Sequence, residues 1–269
     1  MSRSRFWLAL TASLLLSLTG RNLCPSHEIK ALASQLAVEK PGSKTTIYLS
    51  WGHRLPVDDL IDGATLERYD LMAPDGAVAP LKREDLSLQA NVVTLKDVGT
   101  YQVLVGRKAG IYTYVFDAEG NRLLKRSPKN VVKEGKIDYA LRSQQYAKAL
   151  IVVGAPSAEP IKPAGLPIEI VPLDGPVAWK SKAKLRFRVL LQGKPLSGAE
   201  VTARYVGFKP DNGWCYATTT NRDGEADVPP CQGGTWVLKV RSRELAREAA
   251  REQYDFDSYT ATLTLEIQP

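Results

Sequence analysis

Short strands separated by turn residues are the feature that most constrains this chain. In residues 46–51, Ile47, Leu49 and Trp51 alternate with more polar side chains, which is the period of two expected of a half-buried strand. The pattern predicts an all-β fold of two immunoglobulin-like antiparallel β-sandwich domains. The other predicted strands span residues 69–72, 92–95, 101–105, 111–116, 122–125, 146–153, 168–171, 184–191, 199–206, 215–220, 226–228, 235–240 and 259–267.

A stretch rich in proline, alanine and glycine divides the chain near its middle. Residues 154–166 lack apolar periodicity and have the composition of a linker. About 240 residues remain once a leader is removed, which suits two domains. We therefore predict an N-terminal sandwich at residues 27–153, a linker at 154–166 and a C-terminal sandwich at 167–269.

One segment of the second half departs from the strand pattern. In residues 241–254, charged side chains such as Glu244, Arg247 and Glu248 stand at helical neighbour spacings with alanines between them. We predict a short exposed helix inserted between two strands. It is either a solvated insert or a surface that docks a partner.

The first 26 residues have the layout of a secretory signal peptide. Arg3 and Arg5 precede an apolar run at 6–20, which is shorter than the roughly 20 residues that a membrane-spanning helix needs. Cleavage after Ser26 would leave His27 as the new N-terminus, while an earlier cut or retention of the segment as an anchor are the alternatives. The mature protein is expected to be soluble and to work outside the cytoplasm.

Charge and motif content narrow the functional classes. Of the 36 basic side chains, Arg3, Arg5 and Arg21 leave with the signal peptide, so 33 remain against 29 acidic ones, a net charge of +4. These charges are too balanced and too scattered to indicate nucleic-acid binding. No phosphate-binding glycine loop and no serine in a nucleophile elbow occurs in the sequence. We therefore expect a protein that is not an enzyme.

Two cysteines remain in the predicted mature chain once Cys24 is removed. In an oxidising compartment we expect Cys215 and Cys231 to form a disulfide. A metal site built on the two thiolates is the alternative, although no histidine or further cysteine lies near them in the sequence.

The chain has only two histidines, and both are candidate metal ligands. At a mature N-terminus, the amine and the imidazole of His27 can close one chelate ring, and His53, which follows the strand at 46–51, could add a second imidazole. Three nitrogen donors suit nickel, cobalt or copper better than magnesium or calcium. Asp58 and Asp59 could supply an oxygen ligand or orient a ring. Protons compete for the amine, so binding should weaken in mild acid.

The same residues admit simpler interpretations. A histidine beside a turn is often a surface or hydrogen-bonding residue, and the acidic residues at 58–62 could be a solvated loop. An interaction module that bridges envelope proteins without a ligand is therefore a second hypothesis. A copper-dependent oxidase built on the same N-terminal histidine arrangement is a third.

Four segments together resemble a known family. The chain is similar to periplasmic proteins, once a domain of unknown function, that accompany energy-coupling-factor-type nickel and cobalt uptake transporters. A histidine shortly after the signal peptide and a Gly-His pair after an early strand recur in that family and match His27 and His53. The segments are HEIK at 27–30, GHRLPVDD at 52–59, GKPLSGA at 193–199 and YTATLTL at 259–265.

This resemblance implies a periplasmic protein that binds nickel or cobalt, with copper as the alternative. The implied partner is a membrane metal-uptake transporter, with contact to the membrane that is peripheral at most. The second half separately resembles carboxypeptidase-regulatory-like modules, through GKPLSGAEV at 193–201, TNRDGEA at 220–226 and GGTWVL at 233–238. Such modules are usually non-catalytic, and within this one the Cys215–Cys231 pair would staple a local hairpin.

Overall fold

The computed structural model describes residues 27–208 and 213–269, and these residues fold into stacked β-sheets. The predicted signal peptide at 1–26 lies outside the described residues. Among the residues that are described, no helix is long and apolar enough to cross a membrane. The prediction of an all-β fold is confirmed.

Strands make up most of the described chain, with four 3-10 helices of a single turn between them. The 3-10 helices span Gly63–Thr65, Lys129–Val131, Pro176–Ala178 and Glu248–Ala250. The strands are β1 (Glu28–Ala33), β2 (Ala37–Val38), β3 (Ser43–Gly52), β4 (Leu66–Met72), β5 (Val78–Pro80), β6 (Asn91–Leu95), β7 (Gly99–Phe116), β8 (Arg122–Lys125), β9 (Lys136–Val153), β10 (Ile168–Pro172), β11 (Leu185–Leu191), β12 (Lys194–Pro195), β13 (Glu200–Tyr205), β14 (Tyr216–Thr219), β15 (Glu225–Val228), β16 (Gly234–Leu245) and β17 (Phe256–Ile267).

A ten-stranded central sheet runs through both halves of the chain. Its main path is β14-β13-β16-β17-β9-β7-β4-β5, and β2 and β8 pair at its sides. The first and second halves meet where β17 pairs in parallel with β9. A small sheet of β1, β3 and β6 and a second one of β10, β11, β12 and β15 complete the fold. Both halves of the chain therefore contribute strands to a single sheet.

Strand β9 shows how one sheet serves two hydrophobic cores. Leu150 and Val152 belong to the core beneath the sheet of β10 and β11. Ala149 and Ile151 belong to the core beneath the sheet of β1 and β3. Because successive side chains of a strand point to opposite faces, this alternation buries both faces of β9.

A buried ion pair ties β9 to β10. Lys148 Nζ lies 2.6 Å from Glu169 Oε1, and both side chains are 1% exposed. The Glu169 carboxylate also accepts hydrogen bonds from the backbone N–H groups of residues 164, 165 and 166. The segment 154–166 is thus held against the sheet at its far end, and Ile161 and Leu166 are buried there. The division into domains at this segment stays a prediction.

The predicted helix at 241–254 is wrong. Strand β16 continues to Leu245 in register with β17, and only Glu248–Ala250 form a single 3-10 turn. The hydrogen bonds that β17 offers along the full length of β16 outweigh the weak helical preference of the charged residues. Residues 136–145, which carry no strand signal in the sequence, are the first half of β9 for the same reason, since they pair with β7.

The sheet of β1 and β3 covers only part of the central sheet. The start of β1 lies beside Gln145 of β9. The side-chain amide of Gln145 donates to His27 O at 2.9 Å, and its Oε1 accepts from Ile29 N at 3.3 Å. Residues 136–144 of β9 extend beyond that point. This leaves an uncovered shelf of the central sheet beside the end of β1, and His27 lies at its edge.

Candidate functional site

Strand pairing brings the two histidines together. Strands β1 and β3 are antiparallel with Glu28 opposite Gly52, so His27 and His53 lie side by side just beyond the paired residues. Their ring centroids are 4.8 Å apart and the rings are nearly perpendicular. Trp51 meets the His27 ring edge to face at 5.5 Å. The two imidazoles are therefore close enough to share one ion.

Each histidine is held by a residue from the central sheet. The Gln145 side chain binds the backbone on both sides of Glu28 and so fixes the position of His27. The Arg204 guanidinium donates a short hydrogen bond to the carbonyl oxygen of His53. Arg204 is 3% exposed and also lies against the Trp214 ring, 4.9 Å from its centroid.

Steric constraints explain why glycine stands directly before His53. Gly52 has φ +121°, a conformation that is open to glycine and strained for other residues. An added Cβ at this position would lie 2.2 Å from Asp58 Oδ2. That same oxygen accepts hydrogen bonds from the N–H groups of His53, at 2.6 Å, and Arg54, at 3.2 Å. Glycine is thus required for Asp58 to hold the turn that carries His53.

Hydrogen bonds set the charge of Asp58. Partial burial alone would raise the pKa of this carboxyl, but the N–H groups of His53 and Arg54 outweigh it, so the pKa is lowered. Asp58 is therefore ionised near neutral pH and places a negative charge beside His53. Asp59 instead uses Oδ1 to accept from its neighbour Leu60 N at 2.7 Å, while its own N–H pairs with Trp51 O.

Beneath the histidines lies a buried charge cluster that links β1 to the central sheet. Glu28 is 3% exposed, with Lys239 Nζ at 2.9 Å and Lys30 Nζ at 3.5 Å from its carboxylate oxygens. Lys30 also donates to Gly52 O at 2.7 Å. Burial alone would raise the pKa of Glu28, but the charges of the two lysines outweigh it and lower the pKa. Burial lowers the pKa of Lys30 to about 8, against the attraction of Glu28.

The surroundings favour the neutral form of His53, which is the form that binds a metal. Burial lowers the pKa of His53, and electrostatic interaction with the neighbouring His27 lowers it further. A neutral imidazole keeps a lone pair for coordination without first losing a proton.

The described residues contain no group of three or more His, Cys, Asp and Glu side chains arranged to hold a metal ion. The pair His27 and His53 offers two imidazole donors. The Asp58 carboxylate lies beside them and accepts a hydrogen bond from the backbone N–H of His53. This donor set fits a borderline transition metal that completes its shell with a further nitrogen or with an outside ligand. The predicted ligand roles of Asp58 and Asp59 stay predictions.

A pocket of about 460 Å³ opens beside His27 on the uncovered shelf. Its walls include Trp51, Tyr112, Tyr114 and Tyr139. Two rows of polar side chains cross its floor from strand to strand. By strand pairing the first row is Arg241, Thr260, Gln145 and Arg107, and the second is Arg243, Ser258 and Ser143.

Reasoning from the sequence missed this pocket. The residues of each row come from distant parts of the chain, and only the pairing of β16, β17, β9 and β7 brings them together. One local signal was available, because Arg241 and Arg243 stand at the strand spacing of two. The helical interpretation of residues 241–254 hid it.

The predicted disulfide is not present, since Cys215 and Cys231 are both free thiols in the structure. Cys215 points toward the core, where its thiol donates to Ala203 O at 3.2 Å, while Cys231 is exposed. Burial raises the pKa of Cys215, and the neighbouring Cys231 raises it further. The two thiols are thus near each other without being joined.

Comparison with known proteins gives one family match. The model of a family described as a domain of unknown function, DUF4198, matches residues 25–244. No curated protein matches this chain. Among solved structures, the D00-D0 domain of intimin is similar at 11% identity with a TM-score of 0.21, over 90% of this chain and 100% of that one.

Proposed function

The chain belongs to the DUF4198 family, and we propose that this member is an exported, non-catalytic protein that binds one divalent transition metal ion at His27 and His53. The observation that carries the proposal is the 4.8 Å separation of the two imidazole rings. These are the only histidines of the chain, and the pairing of β1 with β3 places them side by side. Metal binding explains why both occur at the same edge of the fold.

Export supplies the third nitrogen. When the signal peptide is removed after Ser26, His27 contributes its amine as well as its ring, and His53 adds the second imidazole. Gln145 supports this role because it fixes the backbone on which both donors of His27 stand. Asp58 holds His53 in place through its backbone N–H. The resemblance to proteins that accompany metal uptake favours nickel or cobalt as the cargo, delivered to a membrane transporter.

The test compares two forms of the mature protein. One begins at His27, and the other carries a single added glycine before it. Native mass spectrometry and calorimetric titration with Ni²⁺, Co²⁺ and Cu²⁺ should give one tightly held ion for the first form and at least about tenfold weaker binding for the second. Equal affinity in the two forms would remove the amine from the site.

Variants of the other predicted ligands complete the experiment. His53→Gln should abolish tight binding, while Asp59→Asn should leave it unchanged because that carboxylate is engaged by Leu60 N. Asp58→Asn retains an acceptor oxygen and should weaken binding only moderately. If the form beginning at His27 holds none of the three metals, the proposal fails and the interaction module without a ligand takes its place.

A further inference from the structure

We propose that the pocket beside His27 binds a small organic anion with two or three carboxylates, and that the metal reaches His27 and His53 as the complex of such an anion. The first half of this inference concerns the pocket alone. The second half rests on the proposed function.

The charge of the pocket is the first reason. Among the described residues that line it, four are arginines and one is a carboxylate, that of Asp62; the arginines are Arg107, Arg126, Arg241 and Arg243. That carboxylate is already engaged, because it accepts from Ala64 N at 2.8 Å. A pocket with this surplus of guanidinium groups attracts an anion.

The second reason is that three of these arginines are not neutralised by a carboxylate of the described residues. Within the described residues, Arg107, Arg126 and Arg243 form no ion pair with a carboxylate. Arg107 instead stacks on the Trp51 ring, 4.4 Å from its centroid, and its buried Nε has no hydrogen-bond partner among those residues. Arg243 lies against the rings of Tyr139 and Phe256. Stacked guanidinium groups keep their N–H edges available for a carboxylate.

The geometry of the floor points to more than one carboxylate. Its two rows are two residues apart along the strands, which corresponds to about 7 Å. Each row combines arginine with hydroxyl groups, from Thr260 in the first row and from Ser143 and Ser258 in the second. A ligand with two separated carboxylates satisfies both rows, whereas a single phosphate reaches only one. The tyrosine walls then contact the carbon atoms between the carboxylates.

The electrostatics of the histidine site link the pocket to the metal. Arg204, Lys30 and Lys239 lie beneath the histidines with Glu28 as the one buried carboxylate among them. The ionised Asp58 beside His53 offsets this positive surplus only in part, so a bare divalent cation would still meet it, while a metal carried by an anionic chelator brings its own compensating charge. His27 lines the pocket, so a chelator seated there lies next to the imidazole.

The first experiment uses metal-free mature protein. Calorimetric titration with citrate and with tricarballylate should show binding, and inorganic phosphate and acetate should bind at least about tenfold more weakly because they reach one row only. Arg107→Gln combined with Arg243→Gln should weaken tricarballylate binding by about tenfold or more. If the double variant fails to fold, Arg243→Gln alone replaces it, because Arg243 is exposed; this single variant should show a smaller loss of tricarballylate binding.

A charge-matched control distinguishes the pocket from the net charge. Arg222 lies in the turn between β14 and β15, and Arg222→Gln should leave tricarballylate binding unchanged. The inference is overturned if no carboxylate binds, if Arg222→Gln weakens binding as much as the pocket variant, or if phosphate binds as tightly as citrate.

The second experiment separates this inference from the proposed function. Citrate should increase the retention of Ni²⁺ by the native protein, and His53→Gln, which removes a proposed metal ligand outside the pocket lining, should lose that increase while still binding tricarballylate without metal. If Ni²⁺ binds but carboxylates do not, the pocket inference fails and the proposed function stands. If carboxylates bind but no metal does, the proposed function fails and the anion pocket remains.

Discussion

Replacing Gly52 by alanine should damage the candidate metal site without touching either histidine. The new Cβ would lie 2.2 Å from Asp58 Oδ2, which no real contact permits, so the Asp58 side chain must move. Its two hydrogen bonds, from the N–H groups of His53 and Arg54, are then lost or lengthened. The turn that carries His53 loses its support.

The expected loss of stability has two parts. Alanine at φ +121° costs about 1–2 kcal/mol of backbone strain. The two hydrogen bonds accept onto a carboxylate, but because Asp58 is exposed we take about 0.5–1 kcal/mol for each. The total is about 3 kcal/mol, which for a protein of this size corresponds to a fall of about 6–12 °C in Tm.

The assay combines thermal unfolding with Ni²⁺ titration, and the fold offers a matched control. Gly42 also has positive φ, at +85°, but a Cβ there meets nothing within 4 Å. Gly42→Ala should therefore cost only the strain, about 1–2 kcal/mol, and leave Ni²⁺ affinity unchanged. In an Asp58→Gly background all three clashing atoms of residue 58, Oδ2, Cγ and Cβ, are gone, so Gly52→Ala should then cost no more than Gly42→Ala. Equal losses for Gly52→Ala and Gly42→Ala in the native background, with unchanged metal affinity, would refute this reasoning.

Three further predictions concern other titratable groups. Glu169→Ala should lower the free energy of unfolding by about 3–5 kcal/mol, because it leaves the buried ammonium of Lys148 unpaired. Lys148→Met should cost less, since backbone N–H groups still bind Glu169. Urea unfolding measures both losses. Because the pKa of His53 is lowered by folding, the unfolded chain binds more protons than the folded one. Stability should therefore fall as the pH drops from the ordinary pKa of histidine through the lowered pKa of His53. Thermal unfolding from about pH 7 to pH 5 should show this fall in the native protein and not in His53→Gln. Iodoacetamide should alkylate exposed Cys231 faster than Cys215, whose pKa is raised, and equal rates in peptide mass spectrometry would contradict the described burial.

Local patterns predicted the strands whose two faces differ. Ile47 and Leu49 are buried, as the alternation in residues 46–51 indicates, and strand β8 has the predicted bounds. The sequence misled where tertiary pairing decided the outcome. Strand β9 begins in polar residues that pair with β7 and, from Leu141 onward, also with β17, and Arg241 and Arg243 extend β16 because β17 lies beside them.

The candidate site was predicted in part. The histidines could be singled out because the chain has only two, and the Gly-His spacing is explained by the φ of Gly52. The supporting residues Gln145 and Arg204 could not, because they approach the histidines across sheets from distant parts of the sequence. The pairing register of strands that are distant in the sequence cannot be read from the local hydrophobic periodicity of either strand.

The parallel pairing of β9 with β17 has a consequence for how the chain folds. Strand β9 is synthesised near the middle of the chain, but residues 141–149 acquire their second neighbour only when Phe256–Ile267 is available. The core beneath β10 and β11 contains residues of β17, including Leu263 and Leu265, so it cannot close fully before the C-terminal strand arrives. Such long-range pairing slows folding and leaves a strand edge open to other chains in the meantime. Because the same core also contains Leu150 and Val152 of β9, we expect that the second half cannot be exchanged without β9 as an independent cassette between relatives.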